Sequence, residues 1–577
     1  MYLIFGTVCF ALSFFCCGDF LNLKGKYISG AFLLLVSGVI VKAIGAVYKI
    51  PLTSYIGTVG RGYYAFAYNL VLPLHAVTMG AFPIALSKLV SEYRTRNDCR
   101  TVLALKKGAL RLFFFVGLFG MLLLLLCAKP YCELLVKSPK SIYAAVAVAP
   151  SLFFSCVGGA YRGYYEGSVN MIPTAVSQIT EAVGKFVFGI VFSKFAYDRL
   201  VSEFDVFKTV LGKSVGENDV LSVIYPYSTA AAMLGVTVAS FLSLSFLTAY
   251  SKIKREKRIK SNVIAAEKML LRFAFPIMVS SCVQSIFQFL DSASVQLALN
   301  AVNPTLIRNH YLLALSYVNV SDSELSAYAC GVLSASNDFK NLVPGITMSL
   351  GICAVPVISS SYENRDSSRL SSMFNAIFKY TSLLSSLGGL IIFVCADDAL
   401  TLLYSNSSPD IPLAAAPLVR MFALTVSAYS LSGLFVFCVQ SVGMAQKSIP
   451  SYIVCGIIRV VLNIILIKEG NLLLYGYVIS SLIGYAVLAV WNLLIFIKRT
   501  KIKADFFKTL VLTLLIEAAV IQIFVCLPIN NYLSENTVFR LIENVIIVSL
   551  LYMVPCFLCG MLNFNDFFRY LSHKKCR

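Results

Sequence analysis

Apolar residues along this chain collect in runs of roughly 20, the length an α-helix needs to cross about 30 Å of hydrocarbon at 1.5 Å per residue. Within the runs Leu, Ile, Phe, Gly and Ser follow one another without strict alternation. That pattern predicts helices and argues against barrel strands. Fourteen runs result, at about 28–50, 63–89, 104–128, 141–163, 169–195, 223–250, 270–299, 326–360, 373–396, 411–440, 448–468, 471–497, 506–528 and 540–562. A further apolar stretch, Met1 to Cys17, precedes them. It lacks the positive leader of a signal peptide and is short for a span, so it reads either as an extra helix or as an upstream extension. The predicted fold class is an all-α polytopic membrane protein.

Composition sharpens this reading. A chain that is 58% hydrophobic and 13% charged, with mean hydropathy +0.80, carries too few charges to cover a soluble surface. The net charge of +20 raises the question of nucleic acid, but the bases sit in short blocks between apolar runs. Such blocks orient membrane helices and meet anionic lipid head groups, so membrane lipids are expected partners and nucleic acid is not. One set of loops collects Lys24, Lys26, Arg94, Arg96, Arg100, the 252–260 cluster, Arg365, Arg369, the 498–503 cluster and the tail bases. The alternate loops hold Asp198, Glu203, Asp205, Glu217, Asp219, Asp397, Asp398 and Asp410. The positive-inside rule therefore predicts a multi-pass protein of the cell membrane with residue 24 and the C-terminus in the cytoplasm. Most of the 17 cysteines lie singly in apolar runs, where Cys behaves as a small hydrophobe. Cys556 and Cys559 form a CxxC, but with only His75, His310 and His573 in the chain no metal or redox site and no cofactor is expected.

Internal similarity is the most informative feature. The first span contains VKAI (Val41 to Ile44) and the seventh VQSI (Val283 to Ile286). Lys42 and Lys49 are seven apart, as are Gln284 and Asp291, so each pair shares a helix face. The second span passes Pro73 and Pro83 to reach SEYRTRND; the eighth passes Pro344 and Pro356 to reach SSYENRD. The fourth-to-fifth junction, GGAYRGYYEGSVNMIPTAVSQITEA, likewise resembles FVFCVQSVGMAQKSIPSYIVCGIIR at the tenth-to-eleventh. These repeats predict an N-terminal extension (1–23), a first six-helix lobe (24–262), a second (263–500), and two extra helices with a basic tail (501–577). Parallel repeats of this kind are a recurrent transporter plan, with the binding site where the halves meet. The alternative is a duplicated scaffold whose function lies elsewhere.

Across residues 24–562, the segments GAFLLLVSGVIVKAIGAVYKIPLTSYIG, GYYAFAYNLVLPL, GAFPIALSKLVSEYRTRND, YRGYYEGSVNMIPTAVSQITEA, LLRFAFPIMVSSCVQSIFQFLD and AVPVISSSYENRD together resemble one family. The chain is similar to the stage V sporulation protein B branch of the polysaccharide-flippase and MATE superfamily, and more distantly to MurJ-type lipid II flippases. The resemblance implies two six-helix lobes around a central cavity, with two C-terminal helices forming a groove for a lipid tail. It also implies cavity-facing bases on the first, second and eighth helices that meet a pyrophosphate. Lys42 and Lys49 fall on or close to the first-helix bases, and Lys340 near the eighth-helix base. Where the family has paired arginines on the second helix, this chain offers only His75, which departs from a bidentate phosphate clamp.

The intramembrane polar residues carry two readings each. Lys42 lies about fourteen residues into its span, roughly 21 Å deep. A charge there costs about 2.5–3.5 kcal/mol unless it faces water or a partner. It is therefore a cavity cation, or a snorkelling or internally paired lysine. Lys49, nearer the interface, snorkels more easily. Asp338 and Lys340 precede the long eighth segment and either gate its mouth or belong to a hydrated loop. Glu181 and Lys185 stand i, i+4 with the acid first, the order of a helical ion pair, although a core carboxylate can also carry a coupling proton. Gln178 is placed to share their face. Arg459 and Asn463 read as structural. Asp291, about nineteen residues and some 28 Å beyond Arg272, is expected near the outer surface. Asp397 and Asp398 at a helix end read as solvated and not as a metal pair.

The expected site is therefore Lys42, Lys49, His75, Lys340 and Gln284 for substrate, with Glu181, Lys185, Asp291 and Asp338 as ion-coupling or gating groups and no catalytic residue. The expected activity, implied by the resemblance, is outward flipping of a polyprenyl-diphosphate-linked wall or polysaccharide precursor, with a role in spore cortex synthesis. The expected partner is that anionic lipid-linked precursor, and the expected state a monomer. A MATE-like cation-coupled exporter is the alternative. A membrane-embedded transferase is disfavoured by three scattered histidines and the lack of a Gly-rich phosphate loop.

Overall fold

The computed structural model of the chain describes residues 26–76, 78, 82–217, 219–253, 263–469, 472–502, 506–527 and 533–561. The apolar stretch before Lys24, the bases of 254–260 and the basic tail lie outside these residues. Nearly everything described is helical. The chain runs through α1 (Lys26–His75), α2 (Phe82–Thr95), α3 (Cys99–Pro130), α4 (Ile142–Gly167), α5 (Ile172–Phe207), α6 (Val220–Ile253) and α7 (Val263–Leu299). After the short α8 (Pro304–His310) and α9 (Leu312–Leu315) come α10 (Leu325–Lys340), α11 (Leu342–Glu363), α12 (Ser367–Tyr404) and α13 (Asp410–Ser441). They are followed by α14 (Ile449–Lys468), α15 (Leu474–Thr500), α16 (Phe506–Cys526) and α17 (Thr537–Leu558). A small hairpin, β1 (Thr209–Val210) with β2 (Lys213–Ser214), joins α5 to α6.

Among the described residues, 11 helical stretches are long and apolar enough to cross a membrane. The first of them, within α1, holds two passes. At Gly57 the backbone leaves the helix (φ 64°, ψ −178°) and the chain turns back on itself. Tyr48 and Tyr64 would stand about 24 Å apart on a straight helix, yet they pack in one cluster, and Arg61 donates to Thr53 at 2.7 Å. The sequence predicts a loop over 51–62; the structure uses a one-residue hinge instead. Only glycine suits it, because the positive φ disfavours a side chain and a Cβ would lie 2.5 Å from the Tyr225 ring. With this reversal, α7 and the α10–α11 pair, the expected fourteen passes are present.

One pass predicted as continuous is broken: the eighth steps at Asn341, between Lys340 and Leu342. Pro344 falls in the first turn of α11, where a missing N–H leaves no hydrogen bond unmade. The internal repeat extends to backbone detail. Asn97 (φ 58°) precedes Asp98, which accepts the Thr101 N–H at 3.0 Å, while Arg365 (φ 56°) precedes Asp366, which accepts the Arg369 N–H at 2.9 Å. Both aspartates cap the helix that follows.

The helices α1 and α3–α6 pack into one group and α11–α15 into a second, with α16 and α17 laid against α12. Helix α7 belongs to both. It packs on α14 of the second group and on α2 and α3 of the first. Tyr93 against Met269 and Lys88 over Phe273 mark the latter contact. At the end of the bundle that holds Gly57 the groups touch directly through α1 and α10. There the backbones come so close that a Cβ on Gly331 would lie 1.9 Å from the Thr58 carbonyl oxygen, and one on Gly62 2.2 Å from that of Ala327.

Candidate functional site

Below this close contact the two groups diverge around a cavity of about 1070 Å³. Its wall is drawn from both arms of α1 and from α4, α5, α7, α10, α11, α13, α14 and α15. Lys42, Lys49, Arg162, Lys185, Lys340 and Arg459 face three carboxylates, Glu181, Asp291 and Asp338. The cationic excess is three. Amides and phenols (Asn69, Gln178, Gln284, Gln288, Tyr68, Tyr429) fill the intervals and supply neutral hydrogen-bonding groups.

Each carboxylate is engaged. Glu181 binds Lys185 at 3.0 Å and Arg162 at 2.8 Å. Arg162 also donates to Ser177 and Ser243, both at 2.9 Å. Asp291 accepts from Arg459 at 2.6 Å and from Asn463 at 3.0 Å. Asp338 accepts from Lys49 and, at 2.6 Å, from Arg61. Because Lys49 and Arg61 lie on α1 and Asp338 on α10, this last cluster ties the two groups together beside the sealed end.

Two cations remain. Among the described residues neither Lys42 nor Lys340 has a carboxylate within salt-bridge distance. Lys42 Nζ reaches across the group boundary and donates to the Gly345 carbonyl at 2.9 Å. Lys340, only 4% exposed, lies over the rings of Phe422 and Tyr477, with Nζ 4.9 and 5.4 Å from their centres. The carbonyl held by Lys42 belongs to the first turn of α11, so both cations converge on the break in the eighth pass.

Eight of the nine residues picked from the sequence line this one cavity: Lys42, Lys49, Gln284, Lys340, Glu181, Lys185, Asp291 and Asp338. His75 does not. It ends α1, near the Arg162–Glu181–Lys185 group. Two environments differ from expectation, those of Asp291 and Asp398. Asp291 is 7% exposed in an ion pair and not interfacial, because α14 and α15 cover that stretch of α7. Lys340 and Asp338 are helical residues at a mid-pass break and not parts of a hydrated loop. Asp398 is buried and paired with Arg540 and Asn544 of α17, whereas Asp397 is half exposed beside Arg420. Sequence reasoning missed Arg61 and Arg162, because Arg61 falls in the predicted loop over 51–62 and Arg162 at the end of the predicted span 141–163, where an arginine calls for no internal partner.

A cationic cavity between two repeated helical groups is the arrangement that membrane transporters use. Comparison with known proteins supports this from both ends of the chain. Residues 28–213 match the family described as Polysaccharide biosynthesis protein, and residues 312–466 match MatE. The chain is 22% identical to Stage V sporulation protein B of Bacillus subtilis (strain 168), over 81% of its own length and 83% of the relative's. It is 23% identical to Lipid II flippase MurJ of the same organism, over 83% and 86%. Among solved folds, Lipid II flippase MurJ in an inward closed conformation matches with a TM-score of 0.59 at 14% identity, covering 95% of this chain and 99% of that one. An inward-facing multidrug resistance MATE family transporter of the MOP superfamily gives 0.59 at 14%, covering 81% and 98%. The chain is thus similar in sequence to a lipid flippase and shares the fold of flippase and MATE transporter structures.

Proposed function

We propose that this transporter flips a polyprenyl-diphosphate-linked wall or polysaccharide precursor across the cytoplasmic membrane by alternating access. In this reading residues 24–262 and 263–500 act as the two lobes, and the basic loops and C-terminus face the cytoplasm. The observation that carries it is the pair of cavity cations without carboxylate partners, Lys42 and Lys340. A diphosphate brings the negative charge these two lack, while the phenols and amides around them suit the sugar portion. Gln284 joins that polar wall, and Lys49, Asp338 and Arg61 act as the contact that parts when the sealed end opens. The cavity is complete within one chain, so a monomer suffices.

The cation-exporter reading needs carboxylates free to hold a cation. Here Glu181, Asp291 and Asp338 are each neutralised by a base, and the wall keeps a cationic excess. The likeness to Stage V sporulation protein B makes spore-envelope precursors the first cargo to test. The test is binding of undecaprenyl diphosphate against undecaprenol by native mass spectrometry of the purified protein. Preferential capture of the diphosphate, reduced about tenfold or more by Lys42→Ala with Lys340→Ala (each lost charged hydrogen bond being worth about 1.5–3 kcal/mol), is expected. Equal capture of both lipids would count against a phosphate site.

A further inference from the structure

Away from the cavity, α16 places a carboxyl group in the middle of the membrane. Glu517 stands eleven residues into a helix of 21, about 16 Å from its start. It is buried where α16 meets α12, α13 and α17. Its described polar partners are hydroxyls. Ser386 of α12 donates to Oε2, and Ser427 of α13 donates to the same oxygen at 3.4 Å. One turn along the same seam Ser382 and Thr513 share a hydrogen bond of 3.0 Å. Gly389 lets α12 approach: a Cβ there would lie 3.0 Å from the Ala423 carbonyl oxygen and 3.6 Å from Glu517 Oε1.

No base faces this carboxyl group among the described residues. On α12 the nearest, Lys379, is two turns from Ser386, about 10 Å along the helix. On α13, Arg420 is equally far from Ser427 and is held by Asp397. On α17 the facing titratable groups are Tyr552 and Cys556, and Arg540 is held by Asp398. On α16 itself Lys508 lies nine residues away. An ionised carboxylate at this depth, with hydroxyls alone to solvate it, is costly, whereas the acid form can share a hydroxyl ladder without penalty.

We infer that Glu517 is a proton-binding site that couples protonation to the docking of α16 and α17 on the second lobe. Docked, it holds the proton. When the seam loosens and water enters, the proton leaves for bulk water and the carboxylate is solvated there. This goes beyond the cargo proposal and needs no substrate to test. By linkage, a proton bound more tightly in the docked state contributes stability that is lost as pH rises through the docked value. The melting temperature of the purified wild-type protein should therefore fall by several degrees from mildly acidic to alkaline pH, and Glu517→Gln, which keeps the shape and the hydrogen bonds, should flatten that fall. Infrared spectra at neutral pH should contain a protonated-carboxyl band that Glu517→Gln removes and that Ser386→Ala with Ser427→Ala shifts. A band unchanged by Glu517→Gln, or an unaltered pH slope, overturns the inference. So does a melting response to sodium in place of protons.

Discussion

Among the described residues, Lys42 and Lys340 differ from the other cavity bases in having no carboxylate within salt-bridge distance. The contrast with Arg459 is direct. Arg459 is spent on Asp291, in a pair whose side chains are 11% and 10% exposed. Breaking such a pair leaves one buried charge uncompensated, at about 3–5 kcal/mol. Arg459→Met alone should therefore lower the melting temperature sharply, while Arg459→Met with Asp291→Asn should recover much of the loss; equal loss in single and double variants would show that the pair is not coupled. Lys42 was legible in the sequence because its depth in the first span alone marks it. Asp291 was misread because distance along a helix says nothing of what covers it, and Arg459 lies 168 residues away. Arg162 escaped notice at the end of its predicted span, and its acid, Glu181, is on the next helix.

At the scale of elements, the spans were legible because periodicity and apolar length are local properties, but their interruptions were not. Gly57 and the step at Asn341 depend on packing partners far away in sequence, such as Tyr225 beside Gly57. Gly57→Ala should destabilise the protein by about 1–3 kcal/mol through backbone strain, and the Tyr225 ring must shift as well. A melting temperature unchanged by Gly57→Ala would contradict the hinge. The caps were more visible, since SEYRTRND and SSYENRD end on Asp98 and Asp366. The Thr101 hydroxyl and amide hold the Asp98 carboxyl below the usual carboxylate range. Its folded-state proton affinity is thus reduced, so the cap contributes above the ordinary carboxylate range and is lost as pH falls through the lowered value. Asp98→Ala should lower thermal stability at neutral pH, with the difference from wild type closing in acid; a difference independent of pH would refute this.

For the whole molecule, the two groups meet at one end backbone to backbone and separate toward the other around the cavity. The Gly62–Ala327 and Gly331–Thr58 approaches leave no room for a methyl group. Gly331→Ala should wedge that end apart, and a cysteine at Asp338 should then react faster with a water-soluble thiol reagent than in the parent with Gly331; equal rates would mean that the contact does not close the cavity. The repeat made the two-lobe plan legible, but not that α7 straddles both groups, because shared packing leaves no mark on apolar periodicity. The central claim is that a cationic, alternately exposed cavity carries a diphosphate-linked lipid. Its most direct test is translocation in vesicles reconstituted with the purified protein and undecaprenyl-diphosphate-linked sugar lipids, scored by the fraction that becomes accessible to a membrane-impermeant probe. Translocation above protein-free vesicles, falling about tenfold or more in the Lys42→Ala, Lys340→Ala double variant, is the predicted result; the same rate in the variant as in wild type would contradict it.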